Sequence, residues 1–250
     1  MNTLQDKVIF ITGALGTLGR SAVSMFLSRG ASVAACDLAG IENCPDSERL
    51  AEQYGKERFL FVEADVCDEN SVISIVSEIE RKFGRLDGSY HNVYTNVWKP
   101  ALELTLAEWE ASIRGTLTST FIVCKHVLPL MIRSGGGSIV NTSSILGQIV
   151  SPGCLAYGAA KAGVNQFTKV LAADYARYGI RANALVPGDF KPDDMLAGLT
   201  EQAKETIRSV VWLGRSGRAD EINEMAAFLL SDASSYITGA LLPVDGGFHQ

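Results

Sequence analysis

Tyr157 and Lys161 are a pair of residues whose chemistry suits proton transfer. They stand four residues apart in a segment predicted to be helical, from 156 to 178, so their side chains share one face, one turn apart. A tyrosine near its usual pKa of about 10 is a poor base at neutral pH, and a neighbouring ammonium stabilises the phenolate and lowers that pKa. Ser144, which follows the preceding predicted strand, could hydrogen-bond a substrate oxygen. The same spacing also arises by chance as a solvated pair on an exposed helix, so both interpretations stay open here.

A turn with three glycines follows the first predicted strand. Gly13, Gly16 and Gly19 are spaced so that main-chain N–H groups can approach a pyrophosphate at the start of a helix, with Thr17 and Leu18 between them. The turn therefore predicts a dinucleotide site. Glycines at strand ends also serve tight turns that bind nothing, and the motif alone does not separate the two.

Asp37 ends the second predicted strand, where a carboxylate accepts hydrogen bonds from the adenosine ribose hydroxyls. Its charge repels a 2′-phosphate and no Lys or Arg follows closely, which favours NAD over NADP. Asp65, at the end of the third predicted strand, could contact the adenine edge. The alternative for Asp37 is a solvated acid at a strand end.

Apolar runs alternate with helical patterns along the whole chain, which predicts parallel βαβ units and a doubly wound α/β fold. We expect one domain over residues 1–250, with a lid over the least regular stretch, 188–215. The predicted strands are 7–12, 31–37, 58–62, 86–92, 138–142, 181–186 and 241–244, and the predicted helices are 21–27, 71–83, 105–131 (one helix or two), 156–178 and 220–230.

The composition is that of an ordinary globular protein, with 47% hydrophobic and 20% charged residues. The net charge of −6 and the absence of a Lys/Arg cluster argue against nucleic acid as a partner. We find no uncharged apolar run of membrane-spanning length and no signal-peptide pattern, so we expect no membrane association and a cytoplasmic protein. Five scattered cysteines without a C-x-x-C pair argue against a disulfide framework or a zinc site, and we expect most of them to be small core residues: Cys36, Cys44, Cys67, Cys124 and Cys154.

Several short motifs, taken in order, resemble the short-chain dehydrogenase/reductase family over essentially the whole chain. They are Thr12-Gly13 to Gly19, Leu86-Asp87-Gly88 before Asn92, Ser144 before Tyr157-Gly158-Ala159-Ala160-Lys161, Asn183 to Gly188, and Ile237-Thr238-Gly239 with Val244 to Gly247. Each motif is weak alone, and the combination is specific.

The resemblance implies a Rossmann sheet of seven mostly parallel strands and hydride exchange between a nicotinamide cofactor and an alcohol or ketone. It implies that Tyr157 is the acid/base, that Ser144 orients the substrate oxygen, and that Lys161 also binds the nicotinamide ribose. A homotetramer or homodimer is implied as well. The predicted NAD-binding residues are Gly13, Gly16, Thr17, Leu18, Gly19, Asp37, Asp65, Val66, Asn92, Tyr157, Lys161 and Phe190, and the resemblance also places Trp98, Cys154 and Trp212 at the edge of the substrate pocket.

Three departures from the family pattern mark an atypical member. The second glycine of the turn stands at Gly16, one position early, and Thr17 adds a side chain near the expected pyrophosphate. Tyr94 replaces the glycine that ends the motif after the fourth strand, where Asn92 is kept and His91 precedes it. Thr116 stands where relatives carry an asparagine that helps hold a water for proton exchange. His91, in a buried strand, is more often a core histidine than a catalytic group.

The leading hypothesis is an NAD-dependent oxidoreductase that interconverts a secondary alcohol and a ketone, on a small to medium substrate for which aromatic pocket residues suit an apolar or ring-bearing shape. A non-catalytic relative that only binds the dinucleotide is the alternative from another class, motivated by the three departures. An NADPH-dependent 3-oxoacyl thioester reductase shares most motifs, and Asp37 speaks against it.

Overall fold

One seven-stranded parallel sheet, with strands in the order β3-β2-β1-β4-β5-β6-β7, forms the centre of the fold. The computed structural model describes residues 3–39 and 52–249, so Cys44 lies outside the described residues. Every strand pairing has parallel register, for example Thr12 beside His91 and His91 beside Asn141. The chain begins at β1 near the middle of the sheet and adds β2 and β3 toward one edge. It then returns to place β4 on the other side of β1, and β5, β6 and β7 follow toward the opposite edge. The doubly wound α/β fold predicted from the sequence is confirmed.

Helices cover both faces of this sheet because its central strands are apolar on both sides. In β1, Ile9 and Ile11 pack on one face with Phe26 and other residues of the first and last long helices. Phe10 packs on the opposite face among helices that follow β3 and β4. This double burial explains why the strand reads as a continuous apolar run rather than an alternating one.

Strand and helix bounds follow the predicted pattern closely, with small differences at the ends. The strands are β1 Val8–Thr12, β2 Ser32–Asp37, β3 Phe59–Glu63, β4 Gly88–His91, β5 Gly137–Thr142, β6 Ile180–Pro187 and β7 Leu241–Val244; the helices are α1 Thr17–Ser28, α2 Glu69–Phe83, α3 Leu106–Ile113, α4 Ser119–Arg133, α5 Leu155–Tyr175, α6 Asp193–Ala197, α7 Glu201–Val210 and α8 Ala219–Leu230.

Two segments differ from the sequence-based prediction in an informative way. Helix α1 begins at Thr17, four residues before the predicted start, because the glycine turn itself opens the helix. The stretch 188–215, predicted to be the least regular, contains α6 and α7. Helix α6 has only 5 residues, too few to show a helical period, whereas α7 carries Ala203, Ile207 and Val210 at helical spacing, a pattern that the sequence-based prediction overlooked.

Helices α3 and α4 are joined by one π-helical turn, Arg114–Thr118, so the predicted single or double helix is two helices in continuous helical conformation. The combined stretch Leu106–Arg133 has mean hydropathy 1.3 in its most apolar window, enough for a membrane span by composition, but 61% of that window is buried within the fold. Its buried apolar residues pack against α2 and against strands of the sheet.

Candidate active site

A cavity of about 570 Å³ opens at the carboxyl ends of the four central strands. Residues that directly follow or end β1, β4, β5 and β6 form its floor, at the point where the strand order reverses, which is where open α/β sheets bind ligands. The lining residues are Gly13, Gly16, Thr17, Leu18, Gly19, Asn92, Tyr94, Asn96, Thr142, Ser143, Ser144, Leu146, Tyr157, Lys161, Pro187, Gly188, Asp189, Phe190, Lys191, Pro192 and Met195.

The glycine turn brings α1 very close to the end of β1. Gly13 has φ +65°, a left-handed conformation that favours glycine. At Gly19 a Cβ atom would lie 2.1 Å from the carbonyl oxygen of Gly13 and 2.6 Å from Cα of Ala14, so only glycine fits. Gly16 is different, because a Cβ there would come no nearer than 3.4 Å to the same carbonyl oxygen. Close packing of α1 against the end of β1 therefore requires glycine at position 19. It does not require glycine at position 16.

The N-terminus of α1 is suited to an anion. Gly16 precedes the helix without a side chain to cap it, and the first turn contains no acidic residue. The main-chain N–H groups of this turn lack partners within the helix, and the helix dipole favours negative charge there. Thr17, Leu18 and Gly19 all line the cavity. This arrangement fits the pyrophosphate of a dinucleotide.

The Asp37 carboxylate contacts the same turn from the neighbouring strand. One oxygen accepts a hydrogen bond from the main-chain N–H of Leu15 at 2.8 Å, and the other accepts one from Leu38 at 2.8 Å. Asp37 thus orders the turn as well as ending β2, a structural role that the sequence did not reveal. Each carboxylate oxygen keeps a further acceptor site, so binding of ribose hydroxyls remains available to it.

Asp65 and Val66 do not line the cavity. Asp65 accepts a hydrogen bond from the N–H of Cys67 at 2.8 Å, and Val66 is buried in the core on one face of the sheet. Their contact with an adenine remains a prediction from the sequence.

Asn92 provides a polar group that points to a missing partner. Its side-chain oxygen accepts a hydrogen bond from the Thr142 hydroxyl at 2.7 Å, while its Nδ2 atom is buried without a hydrogen-bond partner. A buried amide without a partner costs free energy unless a ligand satisfies it. Since Asn92 lines the cavity, a bound dinucleotide is a fitting partner.

The Ser144, Tyr157 and Lys161 side chains converge on this cavity. Lys161 lies on α5 and donates a hydrogen bond from Nζ to the main-chain oxygen of Thr142 at 2.6 Å. Its Nζ atom is 5.5 Å from the centroid of the Tyr157 ring. All three side chains are buried, with Lys161 only 2% exposed. The open interpretation of Tyr157 and Lys161 as a solvated surface pair is therefore wrong.

Burial changes the pKa values of both groups. Desolvation lowers the pKa of Lys161 to about 7, because no acidic side chain in residues 3–39 and 52–249 compensates for the lost water. Desolvation also raises the pKa of Tyr157 above its ordinary value, and the nearby Ser144 hydroxyl acts in the opposite direction. The sequence predicts a lowered tyrosine pKa, but in the structure burial dominates and raises the pKa of Tyr157.

The hydroxyl of Thr116 is used within the protein. It accepts a hydrogen bond from the N–H of Thr95 at 3.1 Å and donates one to the carbonyl of Thr95 at 3.2 Å. Thr116 is buried and lies in the π-helical turn. Its side chain therefore fastens the loop that follows β4, and one lone pair of the hydroxyl is left to accept a hydrogen bond from a water.

His91 is a core residue. It lies in β4 with Nδ1 2.8 Å from Oδ1 of Asn141, and burial lowers the pKa of its imidazole to about 4. It does not line the cavity, which agrees with the interpretation as a core histidine rather than a catalytic one.

The segment after β6 closes one side of the cavity. Phe190, Lys191 and Met195 line it, and Lys191 is ion-paired with Asp189. Trp98 and Trp212 are exposed and lie outside the lining, and Cys154 is buried beside a neighbouring groove. Sequence reasoning missed Thr142, whose carbonyl holds Lys161; its position at the end of β5 is the signal that could have found it.

Comparison with known proteins agrees with this geometry. A sequence-family model described as enoyl-(acyl carrier protein) reductase matches residues 13–249. A cis-4-hydroxycyclohexanecarboxylate dehydrogenase of Sinomonas cyclohexanicum is 38% identical over 244 residues, covering 97% of this chain and 96% of the relative. A 3-oxoacyl-(acyl-carrier-protein) reductase of Thermotoga maritima is 37% identical over 246 residues, covering 98% of each. Among solved structures, a short-chain type dehydrogenase/reductase from Mycobacterium ulcerans matches with TM-score 0.89 and 26% identity, over 97% of this chain and 90% of the other.

Proposed function

Since this chain belongs to the short-chain dehydrogenase/reductase family and is an oxidoreductase acting on CH–OH groups, we propose that it interconverts a secondary alcohol and a ketone on a small to medium, ring-bearing substrate, with NAD as cofactor. The observation that carries this proposal is the convergence of Ser144, Tyr157 and Lys161 on one cavity with the glycine turn. A relative that had lost catalysis would have no reason to keep all three.

The residues of this chain have distinct roles in the proposed reaction. The Ser144 hydroxyl donates a hydrogen bond to the substrate oxygen. The phenolate of Tyr157 takes the proton from the alcohol, and in the reverse direction the phenol of Tyr157 gives its proton to the ketone oxygen. The Lys161 ammonium stabilises the phenolate, and the carbonyl of Thr142 holds that ammonium in place. When bound, the nicotinamide dinucleotide supplies the hydride acceptor or donor.

Two observations support the choice of NAD as cofactor and of a ring-bearing substrate. Asp37 places a negative charge beside the glycine turn, where a 2′-phosphate would be repelled, which favours NAD. For the substrate, relatives that are 38% and 34% identical carry the names of dehydrogenases of a cyclohexanecarboxylate and of a cyclohexadiene diol. Apolar side chains of Leu146, Phe190 and Met195 in the cavity suit such a ring.

A 3-oxoacyl thioester reductase is the second candidate, because the Thermotoga maritima relative is nearly as similar. It differs in the expected cofactor, NADPH. Measuring the NAD/NADP preference and turnover of both a cyclic alcohol and a 3-oxoacyl thioester separates the two.

Replacement of Tyr157 by Phe tests the catalytic assignment, since it removes only the hydroxyl. We expect turnover to fall by about 10²- to 10⁴-fold, the usual contribution of a general acid or base, with NAD affinity nearly unchanged. Steady-state kinetics on a panel of ring alcohols and calorimetric NAD binding give the two readouts.

Tyr178→Phe is the matched control, because Tyr178 is exposed and outside the cavity. Equal loss of turnover and NAD binding in folded Tyr157→Phe would contradict the assignment. A wild-type protein that binds NAD but turns over no alcohol or ketone would favour the non-catalytic alternative.

A further inference from the structure

Tyr94 stands inside the cavity, over the proton-transfer pair. Its ring meets the ring of Tyr157 edge-to-face, with centroids 5.7 Å apart and planes at 67°. The Nζ atom of Lys161 is 5.6 Å from the centroid of the Tyr94 ring. The side chain nevertheless remains 58% exposed. A large aromatic ring is thus presented to the cavity beside the reacting group.

The loop that carries this ring is fixed to the π-helical turn. Thr116 bonds both the N–H and the carbonyl of Thr95, the residue next to Tyr94. Gly115 lets the two segments approach so closely that a Cβ on it would lie 2.0 Å from Oγ1 of Thr95. The support of Tyr94 is therefore a packed contact between two elements and not a loose loop tip.

We propose that Tyr94 is a specificity-determining residue whose ring forms an aromatic wall beside Tyr157, against which the ring of a cyclic alcohol or ketone packs. This inference rests on the proposed function, whose substrate class it makes concrete. The rings of Tyr94 and Tyr157 are in direct edge-to-face contact, so a substrate that binds beside the Tyr157 ring also lies next to Tyr94.

The rest of the cavity agrees with a compact apolar ligand. Leu146, Phe190 and Met195 line other sides, and the charge of Lys191 is engaged by Asp189. A rigid ring also loses less conformational freedom on binding than a chain with the same number of carbons. The wall should therefore favour cyclic over straight-chain alcohols.

Cyclohexanol and hexan-2-ol, which have the same number of carbons, are the probes. Their Kd is measured by ligand-observed NMR with and without NAD, and their kcat/KM by steady-state kinetics, for wild type, Tyr94→Phe and Tyr94→Gly. Wild type and Tyr94→Phe should prefer cyclohexanol. Tyr94→Gly should lose about three- to tenfold of that preference, because the apolar contact between the Tyr94 ring and cyclohexanol is removed, with little change for hexan-2-ol.

Tyr236→Leu is the control, because Tyr236 is a fully exposed aromatic outside the cavity, and it should keep the wild-type preference. Thr116→Val removes both bonds to Thr95 and should weaken the preference while the ring is still present, whereas Thr116→Ser should retain it.

If Tyr94→Gly weakens the binding of both alcohols equally, Tyr94 has only a structural role. If it strengthens the binding of both equally, Tyr94 obstructs the cavity. Either result overturns the inference. Turnover of both alcohols by wild type without preference also overturns it and leaves the proposed function standing. A ring preference in Kd that depends on Tyr94, without turnover of either alcohol by wild type, supports the wall and counts against the proposed catalysis on these two substrates.

Discussion

Lys161 is a buried lysine with a single main-chain acceptor and, among the described residues, no ion-pair partner. A buried ammonium without a carboxylate is costly, and the price appears as a pKa of about 7 instead of the ordinary 10.5. The rings of Tyr94 and Tyr157 lie within cation–π distance and offer partial compensation. The sequence identified this lysine by its spacing from Tyr157, but its burial, and hence its pKa, comes from the packing of α5 against the sheet.

The lowered pKa of Lys161 makes the stability of the ligand-free protein depend on pH. Between about pH 7 and 10, the unfolded chain binds a proton at this residue that the folded protein does not, so folding becomes more favourable as pH rises. Lys161→Met has no titratable side chain at this position and therefore lacks this pH-dependent contribution to stability. The free energy of unfolding of wild type relative to Lys161→Met should therefore increase from pH 7 to 9.5, by up to about 1.4 kcal/mol per pH unit, and stay flat below pH 7.

Urea unfolding of both proteins at pH 6, 7, 8 and 9.5 checks this expectation. The lost bond to Thr142 in the variant adds only a constant offset, so the comparison depends on the slope. Stopping at pH 9.5 avoids titration of Tyr157, whose raised pKa acts in the opposite direction at higher pH. Parallel curves would show that Lys161 is not desolvated in the folded protein.

At the scale of elements, the strand–turn–helix unit around the glycines does two jobs with different residues. Gly19 allows α1 to pack against the end of β1, and Gly16 opens the helix where the anion is expected. The sequence predicted the unit as a whole. It could not say that the early second glycine has room for a side chain, because that depends on how closely the backbone of Gly13 approaches each position.

Alanine substitutions at the two glycines should separate folding from binding. Gly19→Ala places a methyl group against main-chain atoms that cannot move independently, and should lower the free energy of unfolding by about 1–3 kcal/mol. Gly16 has φ −72°, open to any residue, so Gly16→Ala should cost about 1 kcal/mol or less while weakening dinucleotide affinity through the added methyl group on the cavity wall.

Urea unfolding and calorimetric NAD binding measure the two effects, with each variant serving as the other's control. Equal destabilisation by both substitutions would contradict the close approach at Gly19. Unchanged NAD affinity in Gly16→Ala would contradict the placement of the pyrophosphate at this turn.

At the scale of the whole molecule, the order of the strands assembles the site. Residues far apart in sequence, such as Gly13, Asn92 and Lys161, line one cavity because β1, β4 and β5 are neighbours whose carboxyl ends point the same way. A ligand that binds across these strands stabilises the folded chain as a unit, by mass action.

NAD should therefore stabilise the protein more than NADP does. At a concentration of 100 Kd, a ligand adds about 2.7 kcal/mol, which corresponds to a rise in Tm of roughly 5–10 °C for a chain of this size. In wild type the rise in Tm with NADP should be clearly smaller if, as we propose, the Asp37 carboxylate repels a 2′-phosphate. Asp37→Ala should narrow the difference between the two cofactors.

Thermal unfolding with equal concentrations of each dinucleotide gives the measurement. Asp37→Asn is the matched control, because it removes the charge and keeps a side-chain oxygen for the N–H of Leu15. The rise in Tm on adding dinucleotide is compared within each variant, so the lower Tm of Asp37→Ala without ligand does not affect the comparison. Equal rises for NAD and NADP in wild type would refute the proposed cofactor preference.

Much of the fold and part of the site could be predicted from local patterns. Alternating strands and helices, the glycine turn after β1 and the spacing of Tyr157 and Lys161 each depend on residues close together in sequence. The chemistry of the predicted catalytic residues is likewise a property of their side chains. These features could be predicted because periodicity, turn geometry and side-chain chemistry depend on only a few neighbouring residues.

Contacts between distant segments could be decided only by the tertiary structure. Three contacts join elements that are far apart in sequence. They are the hydrogen bond between Thr95 and Thr116 of the π-helical turn, the ring contact between Tyr94 and Tyr157, and the hydrogen bond from the N–H of Leu15 to Asp37. Burial is also a property of the whole packed molecule, so it alone determined that Lys161 and Tyr157 are desolvated rather than a solvated pair on an exposed helix.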